Sequence, residues 1–525
     1  MADFMVSPPK WKRQVTPAAA GGKARAAGAV LFGYDCGIKK KGRGVMRLIK
    51  WLLYAPAFAP ARRLCLTALL SAVALVTAGC AGTGPQPGGA APKNIIILFA
   101  DGAAPVQWDF GKRSSEILRG QPFATTDVVF REGVLGLMAT QPHGPYVTDS
   151  AAAASAMSTG YKVENGAVSI TPDGKPQTTL MQAAKAAGKR IGLVTTATVY
   201  DATPAAFSIN ARSRRDSQRL VDQYATLRPD VLMGGGADYF LPSTAPGGKR
   251  KDGRDMIAEF RASGHVIARN SAELKAATGP RLLGLFALED MGFELDRDPA
   301  VEPSTAEMTA AALRALAQDS PRGFVLLVEN ENTDTASHAN DAPSLMRALW
   351  AFDDAVKVAL EFQRRNPDTL LIVTGDHETG GFSPTYAQKD MSSAGSGNRF
   401  YAGDEQFRML ERVSMSLGML REKLGRKPDA AVLDALLEKH FPGFRFDDDL
   451  RALLLAGRPL ERNFNYVPHN LVGRMISRQT GFYWGTSGHT SEPVAVGAIG
   501  PGAELFRGYQ DNTDFGKHLH RLLGR

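Results

Sequence analysis

The run Lys93-Asn94-Ile95-Ile96-Ile97-Leu98-Phe99-Ala100-Asp101-Gly102 holds no polar residue between Asn94 and Asp101. A strand with one wet face alternates apolar and polar residues. A continuous Ile/Leu/Phe run closed by an Asp-Gly turn signal instead predicts a strand buried on both faces. Such a strand needs helices on either side of its sheet, and Asp101 falls at its carboxyl end, where open α/β sheets keep their active sites. The chain beyond agrees. A helix over Gln177–Ala187, stopped by Gly188, leads into a strand over Arg190–Thr196, and Asp230–Gly236 reads as another short strand. A capping box, Ser304 with Glu307, opens a helix to about Ala317. The strand Phe324–Val328 delivers Glu329, and a loop carries Asp334 and His338. The helix Ser344–Arg364 precedes the strand Thr369–Thr374, which delivers Asp376 and His377. Helix-then-strand order with acids at strand ends predicts an α/β fold: a three-layer, doubly wound, largely parallel sheet with helices on both faces. The pattern breaks from Gly381 to Gly488. There Phe407, Leu410, Leu417, Leu420 and Leu424 share a helical face and Ala430–Lys439 forms a second helix, so residues 381–488 read as a mostly helical insertion. A last strand follows at Pro493–Ile499.

A chain of 525 residues can bury a large core. Its net charge of +9 is misleading, because thirteen of the 62 Lys/Arg and only two of the 53 Asp/Glu lie in residues 1–80. That leaves 49 basic and 51 acidic side chains from residue 81 onward, so charge gives a nucleic-acid partner no support. All three cysteines, Cys36, Cys65 and Cys80, lie in the same N-terminal part, so disulfides cannot hold the body together. Residues 1–45, rich in Ala, Gly and Lys, read as disordered or as an over-extended gene start. Met46 begins a conventional leader with basic residues through Arg63 and an apolar run, Leu64–Ala78, too short to span a bilayer comfortably. It ends at Val76-Thr77-Ala78-Gly79-Cys80, which is similar to the lipobox of bacterial lipoproteins except for Thr77. The expectation is an exported protein, periplasmic or outer-membrane-associated, with a lipid anchor at Cys80. The alternative is a short N-terminal membrane anchor. Residues 81–92, with four Gly and three Pro, form a flexible tether to a catalytic domain over 93–525.

Val147-Thr148-Asp149-Ser150 opens a run of small residues that ends at Gly160. Ser150 is therefore expected at a helix N-terminus, where free N–H groups and the macrodipole attract an anion. Most serines at such a place only cap the helix. Asp201-Ala202-Thr203-Pro204 reads as a loop and helix start with Pro204 at the first helical position and Arg214 near that helix's end. The acids and histidines carry the chemical signal. Glu329, Asp334 and His338 are spaced five and four apart, Asp376 and His377 are adjacent, and His489 sits in a glycine-bracketed loop. Carboxylate with imidazole suits Zn²⁺, whereas an all-oxygen set suits Mg²⁺. A structural His paired with Asp is the bland reading for any one of them, but not for all three together.

Taken in order, NIIILFADG, VTDSAA, DATPAA, VENENTDTASH, TGDHETGG and GTSGHT resemble the motifs of the alkaline phosphatase family, over roughly residues 93–380 and 481–510. The resemblance implies a phosphomonoesterase with Ser150 as nucleophile and Arg214 gripping phosphate. It implies one zinc held by Asp334, His338 and His489, and a second by Asp376, His377 and Asp101. A magnesium would be held by Asp101, Thr203 and Glu329, with Asp201 supporting its waters. Two positions depart from the family pattern: Thr335, where relatives often carry Lys or His, and Thr379, where many carry a second His. Both bear on metal preference and pH optimum. Rival readings are a phosphodiesterase or sulfatase on the same fold, and a catalytically silent membrane-tethered binding protein. Expected partners are small phosphate monoesters and, through Cys80, a membrane; a homodimer is left open. With no matched ligand inside it, the insertion is expected to shape substrate range more than chemistry.

Overall fold

The computed structural model describes residues 91–389, 398–461, 467 and 469–524. The leader, lipobox and all three cysteines lie outside them, as does the tether apart from its last two residues.

Ten strands form the central sheet: β1 (Asn94–Ala100), β2 (Val134–Ala139), β3 (Arg190–Thr198), β4 (Val231–Gly235), β5 (Val266–Ala268), β6 (Leu282–Leu285), β7 (Phe324–Asn330), β8 (Thr369–Thr374), β9 (Val494–Ile499) and β10 (Gly508–Asp511). Their spatial order is β10-β2-β9-β8-β1-β7-β3-β4-β6-β5. Only β9 runs antiparallel to its neighbours. The sheet is thus largely parallel and helices cover both faces, as the strand pattern predicts.

The central strand shows why. Every residue of β1 is buried. Ile96, Leu98 and Ala100 enter one hydrophobic core and Ile95, Ile97 and Phe99 the other, so the two-residue period of a strand feeds both layers at once. The first core contains the helices Thr305–Ala317 and Ala342–Arg365 together with the insertion helices. The second contains Ser150–Thr159, Leu180–Ala186, Ala202–Ser208, Ser217–Leu227 and Asn512–Leu522.

Several local expectations change. Asp334 and His338 lie on a helix, Asn332–His338, and not in a loop, which puts them one turn apart on a single face. The Ala202–Ser208 helix is capped at Asp201, so Pro204 is its third residue, and Arg214 lies beyond its end in a turn. The long insertion helix is two, Asp404–Glu411 and Leu417–Leu424, because Ser416 accepts from the Met419 amide and starts a new one. Short strands at Phe382–Pro384, Tyr386–Gln388, Arg399–Tyr401 and Phe482–Trp484 add β structure to the insertion. β2, β10 and the Asn512–Leu522 helix have no counterpart in the reading of the sequence; glycine and exposed Leu135 and Leu137 break up the β2 pattern.

Candidate active site

Register brings the site together. In the order β8-β1-β7-β3, Phe99 lies opposite Thr374 on one side and Glu329 on the other, while Val328 pairs with Val194. The carboxyl ends of four adjacent strands therefore deliver Asp376, Asp101, Glu329 and Thr195 to one edge. Gly102 adopts φ +72°, and a Cβ there would lie 2.7 Å from Asp334 Oδ1. Only glycine lets the β1 turn and the Asp334 helix approach this closely.

Ser150 is the first residue of its helix, and Asp149 is the cap, accepting from the Ala152 amide at 2.9 Å. The capping reading of Ser150 therefore gives way: a carboxylate one position earlier satisfies the amide, and the Ser150 hydroxyl is released from that duty. Its Oγ lies 3.2 Å from His377 Nε2. His377 Nε2 in turn lies 3.5 Å from Asp101 Oδ1 and 3.2 Å from Asp376 Oδ2. His338 Nε2 lies 3.1 Å from Asp334 Oδ2 and 3.0 Å from His489 Nε2, and the His377 and His489 rings stack at 3.6 Å.

Hydrogen bonds settle which nitrogen of each ring faces inward. His338 Nδ1 meets the Ser487 carbonyl at 2.6 Å and His489 Nδ1 the Thr148 carbonyl at 2.9 Å. A carbonyl only accepts, so each Nδ1 carries a proton and each ring turns its Nε2 into the site. Thr379 does the same for His377. Its hydroxyl donates to Asp334 Oδ1 and so accepts from His377 Nδ1, 3.2 Å away. The residue that departs from the family pattern thus ties an acid of one group to an imidazole of the next. The other departure, Thr335, donates to Glu331.

The donor set fits divalent cations. Asp334, His377 and His489 offer converging ligand atoms, as do Asp101, Asp376 and His377. His338, outside these two groups, reaches Asp334 and His489 by the distances above. Asp101 Oδ1, Asp376 Oδ2 and Glu329 Oε1 are buried without a hydrogen-bond partner. Two imidazole lone pairs 3.0 Å apart need a proton or a cation between them. The charges show the same strain. Burial, then Asp376, Asp334 and Glu329, push the Asp101 carboxyl well above the usual range. Burial likewise raises Asp376 strongly and brings Glu329 to about 7, despite the hydrogen bond it accepts from Thr195 at 2.5 Å. Burial also opposes the charge on Asp334, but His338 outweighs it and holds that carboxyl well below the usual range. Burial depresses His377 strongly and His489 less so, while Asp334 carries His338 to about 9 against its own burial. Thr203 completes an oxygen-rich corner, its hydroxyl 3.5 Å from Asp101 Oδ2.

Arg214 spans two acids, with Nη1 3.4 Å from Asp149 and Nη2 3.0 Å from Asp201. Asp201 is thus held by an arginine, two residues before Thr203 of the oxygen-rich corner. All eleven residues singled out in the sequence gather here.

Sequence reasoning missed Thr195 and Asn470. Thr195 lies on β3 just past its last pairing with β7, on the edge that marks Asp101, and that rule could have found it. Asn470 opens the Asn470–Thr480 helix of the insertion, and its Nδ2 donates to the His338 carbonyl at 3.0 Å. Asp341 accepts from the Leu417 amide at 2.7 Å, a second stitch between insertion and site. The insertion therefore bears on the candidate ligands as well as on access. Asn470→Ala is expected to weaken metal affinity by roughly tenfold, the scale of outer hydrogen bonds to ligands. Competition against a fluorescent chelator measures it, and unchanged affinity would return the insertion to a role in substrate range alone.

A family profile described as alkaline phosphatase matches residues 92–524. Alkaline phosphatase 3 of Bacillus subtilis is 30% identical over 449 residues, covering 82% of this chain and 89% of that protein. The repressible alkaline phosphatase of Saccharomyces cerevisiae is 30% identical over 469 residues, covering 82% and 81%. The crystal structure of Thermus thermophilus alkaline phosphatase superposes with a TM-score of 0.75 at 32% identity, covering 84% of this chain and 93% of that one.

Proposed function

The chain belongs to the alkaline phosphatase family and is a phosphatase, and from that premise we propose that it cleaves phosphate monoesters through a phosphoserine at Ser150. The observation that carries this reading is the Ser150 hydroxyl itself. It is free of capping, stands at a helix N-terminus and lies 3.2 Å from His377 Nε2, beside buried carboxylate oxygens that lack partners. Asp334, His338 and His489 would hold one zinc, and Asp376, His377 and Asp101 a second. Asp101, Thr203 and Glu329 would hold a magnesium, with Asp201 behind them. When bound, the ions neutralise phosphoryl oxygens and acidify the serine hydroxyl and water.

The chain's own residues do the rest. Asp149 fixes the start of the helix, whose free amides face the phosphate. The Arg214 fork takes two non-bridging oxygens, and its bonds to Asp149 and Asp201 fix the plane of that fork in advance. Ser150 Oγ loses its proton and attacks phosphorus; the bond to the ester oxygen breaks and the alcohol leaves. Water then takes the phosphoryl group from Ser150 and orthophosphate departs. A phosphodiesterase or sulfatase has less need of this arginine clamp, which supports monoesters. The test is a chromogenic phosphate monoester, diester and sulfate, each at alkaline pH. Turnover of the monoester should dominate, and preference for either other substrate would overturn the reading. Chelation should remove activity and Zn²⁺ with Mg²⁺ restore it; full turnover by a verified metal-free preparation would refute the metal assignment.

The same proposal places the enzyme outside the cytoplasm, tethered through Cys80. Among the described residues no helix is long and apolar enough to cross a membrane. Cys80→Ser should abolish lipid labelling and leave unprocessed but active protein, and persistent labelling would remove the anchor.

A further inference from the structure

Beside Arg214 opens a cleft of about 710 Å³, walled by Asp149, Asn165, Asp201, Arg212, Arg214 and Arg215. Three guanidinium groups within four residues line one hollow, and among the described residues only that of Arg214 has an ion-pair partner. Arg214 holds both acids of the wall, Asp149 and Asp201. Among the described residues, no carboxylate forms an ion pair with Arg212 or Arg215, and both side chains are exposed.

The turn that carries them is fixed. Ala211 and Val168 exchange backbone hydrogen bonds at 2.9 Å, and the Arg214 amide donates to the Gly166 carbonyl at 2.9 Å. The Arg215 amide donates to Ser213 Oγ at 3.2 Å. Arg212 and Arg215 are therefore carried on an anchored turn at the rim of the site, with no ion-pair partner among the described residues. The body around them is close to neutral, so this local surplus is a property of the rim and not of the chain as a whole.

A monoester with an uncharged leaving group presents one phosphate, which Arg214 and the Ser150 helix receive. It leaves Arg212 and Arg215 unused. We propose that these two arginines form a second anion subsite, which takes the additional phosphoryl group of substrates carrying two phosphates, such as nucleoside diphosphates. This rests on the reading of Ser150 and Arg214 given above. Hydrolysis of ADP there breaks the bond between the terminal phosphorus and the bridging oxygen. One water is consumed, and AMP and orthophosphate are released. The subsite holds the phosphoryl group that stays on the leaving side.

The experiment compares initial rates on ADP and AMP, which share a base and differ by one phosphoryl group, for the wild type and the Arg212→Ala, Arg215→Ala double variant. Both side chains are exposed, so the fold should be retained. The expected result is a loss of roughly tenfold in kcat/KM for ADP, the combined scale of two exposed charge contacts, with AMP changed less than about twofold. Raising salt to about 0.5 M should shrink the wild-type preference in the same direction. In parallel, calorimetric titration with inorganic pyrophosphate should show weaker binding to the double variant, with orthophosphate binding unchanged. Equal losses on ADP and AMP, or no loss on either, would overturn the subsite. A wild type that leaves AMP intact would instead sink the monoester reading. In that event the pyrophosphate titration decides the subsite alone, and equal affinities for both proteins overturn it.

Discussion

Ser150→Ala is expected to eliminate the phosphoenzyme while leaving the fold in place. Ser150 is buried and opens its helix, but Asp149 does the capping, so removing Oγ uncaps nothing. Alanine is the best helix former and follows here in a run of alanines, so little stability should be lost. Among the described residues, the one side-chain hydrogen bond removed is that to His377 Nε2. The chemical loss is large because this oxygen makes and breaks the bond to phosphorus, and steady-state turnover should fall on the order of 10³-fold or more. Acid-quenched labelling with ³²P-substrate reads the intermediate directly. Labelling of the variant at the wild-type level would remove Ser150 as nucleophile.

Arg214→Ala should behave differently in kind: slower, but still labelled. The arginine orients and neutralises phosphate and does not bond to phosphorus. Its removal should cost about 2–4 kcal/mol of transition-state stabilisation, the range for a charge-assisted donor aimed at developing charge. Its two partners add a second effect. Burial opposes the charge on Arg214, yet Asp201 and Asp149 hold it firmly protonated. Without it, two partly buried carboxylates lose their ion-pair partner beside the incoming phosphate. Arg214→Ala combined with Asp201→Asn should therefore regain part of the loss, and Arg214→Lys should recover only part because an ammonium cannot reproduce the fork. Steady-state rates with ³²P labelling across these variants check both statements. Wild-type kinetics in Arg214→Ala would assign the phosphate to Arg212, to Arg215 or to no arginine.

Much of the site is legible in short windows of sequence. The unbroken apolar run of β1 announces a strand buried on both faces, and Asp101 at its end announces the working edge. The strand Thr369–Thr374 and the capping box of Ser304 with Glu307 appear in the structure as read. Such features are local: a two-residue period, a cap three residues from its partner and a glycine stop are each written within a dozen residues. The motifs that gave the family were equally local.

What lay beyond reach is what depends on partners far apart in the chain. Asn470 meets His338 across 132 residues and Thr379 meets Asp334 across 45. Neither asparagine nor threonine advertises such a role, because each is equally at home in a turn. The reversed direction of β9 is set by its neighbours β2 and β8, and an apolar run reads the same in either direction. The helix that carries Asp334 and His338 has few apolar residues of its own. It is shaped by burial against the Gly102 turn and the Ala342–Arg365 helix, whereas its composition of Asn, Thr, Asp and Ser suits a loop. Sequence alone determined the layers, the working edge and the candidate chemistry. The tertiary structure decided which side chains hold that chemistry in place, because register and burial act between segments that no local pattern connects.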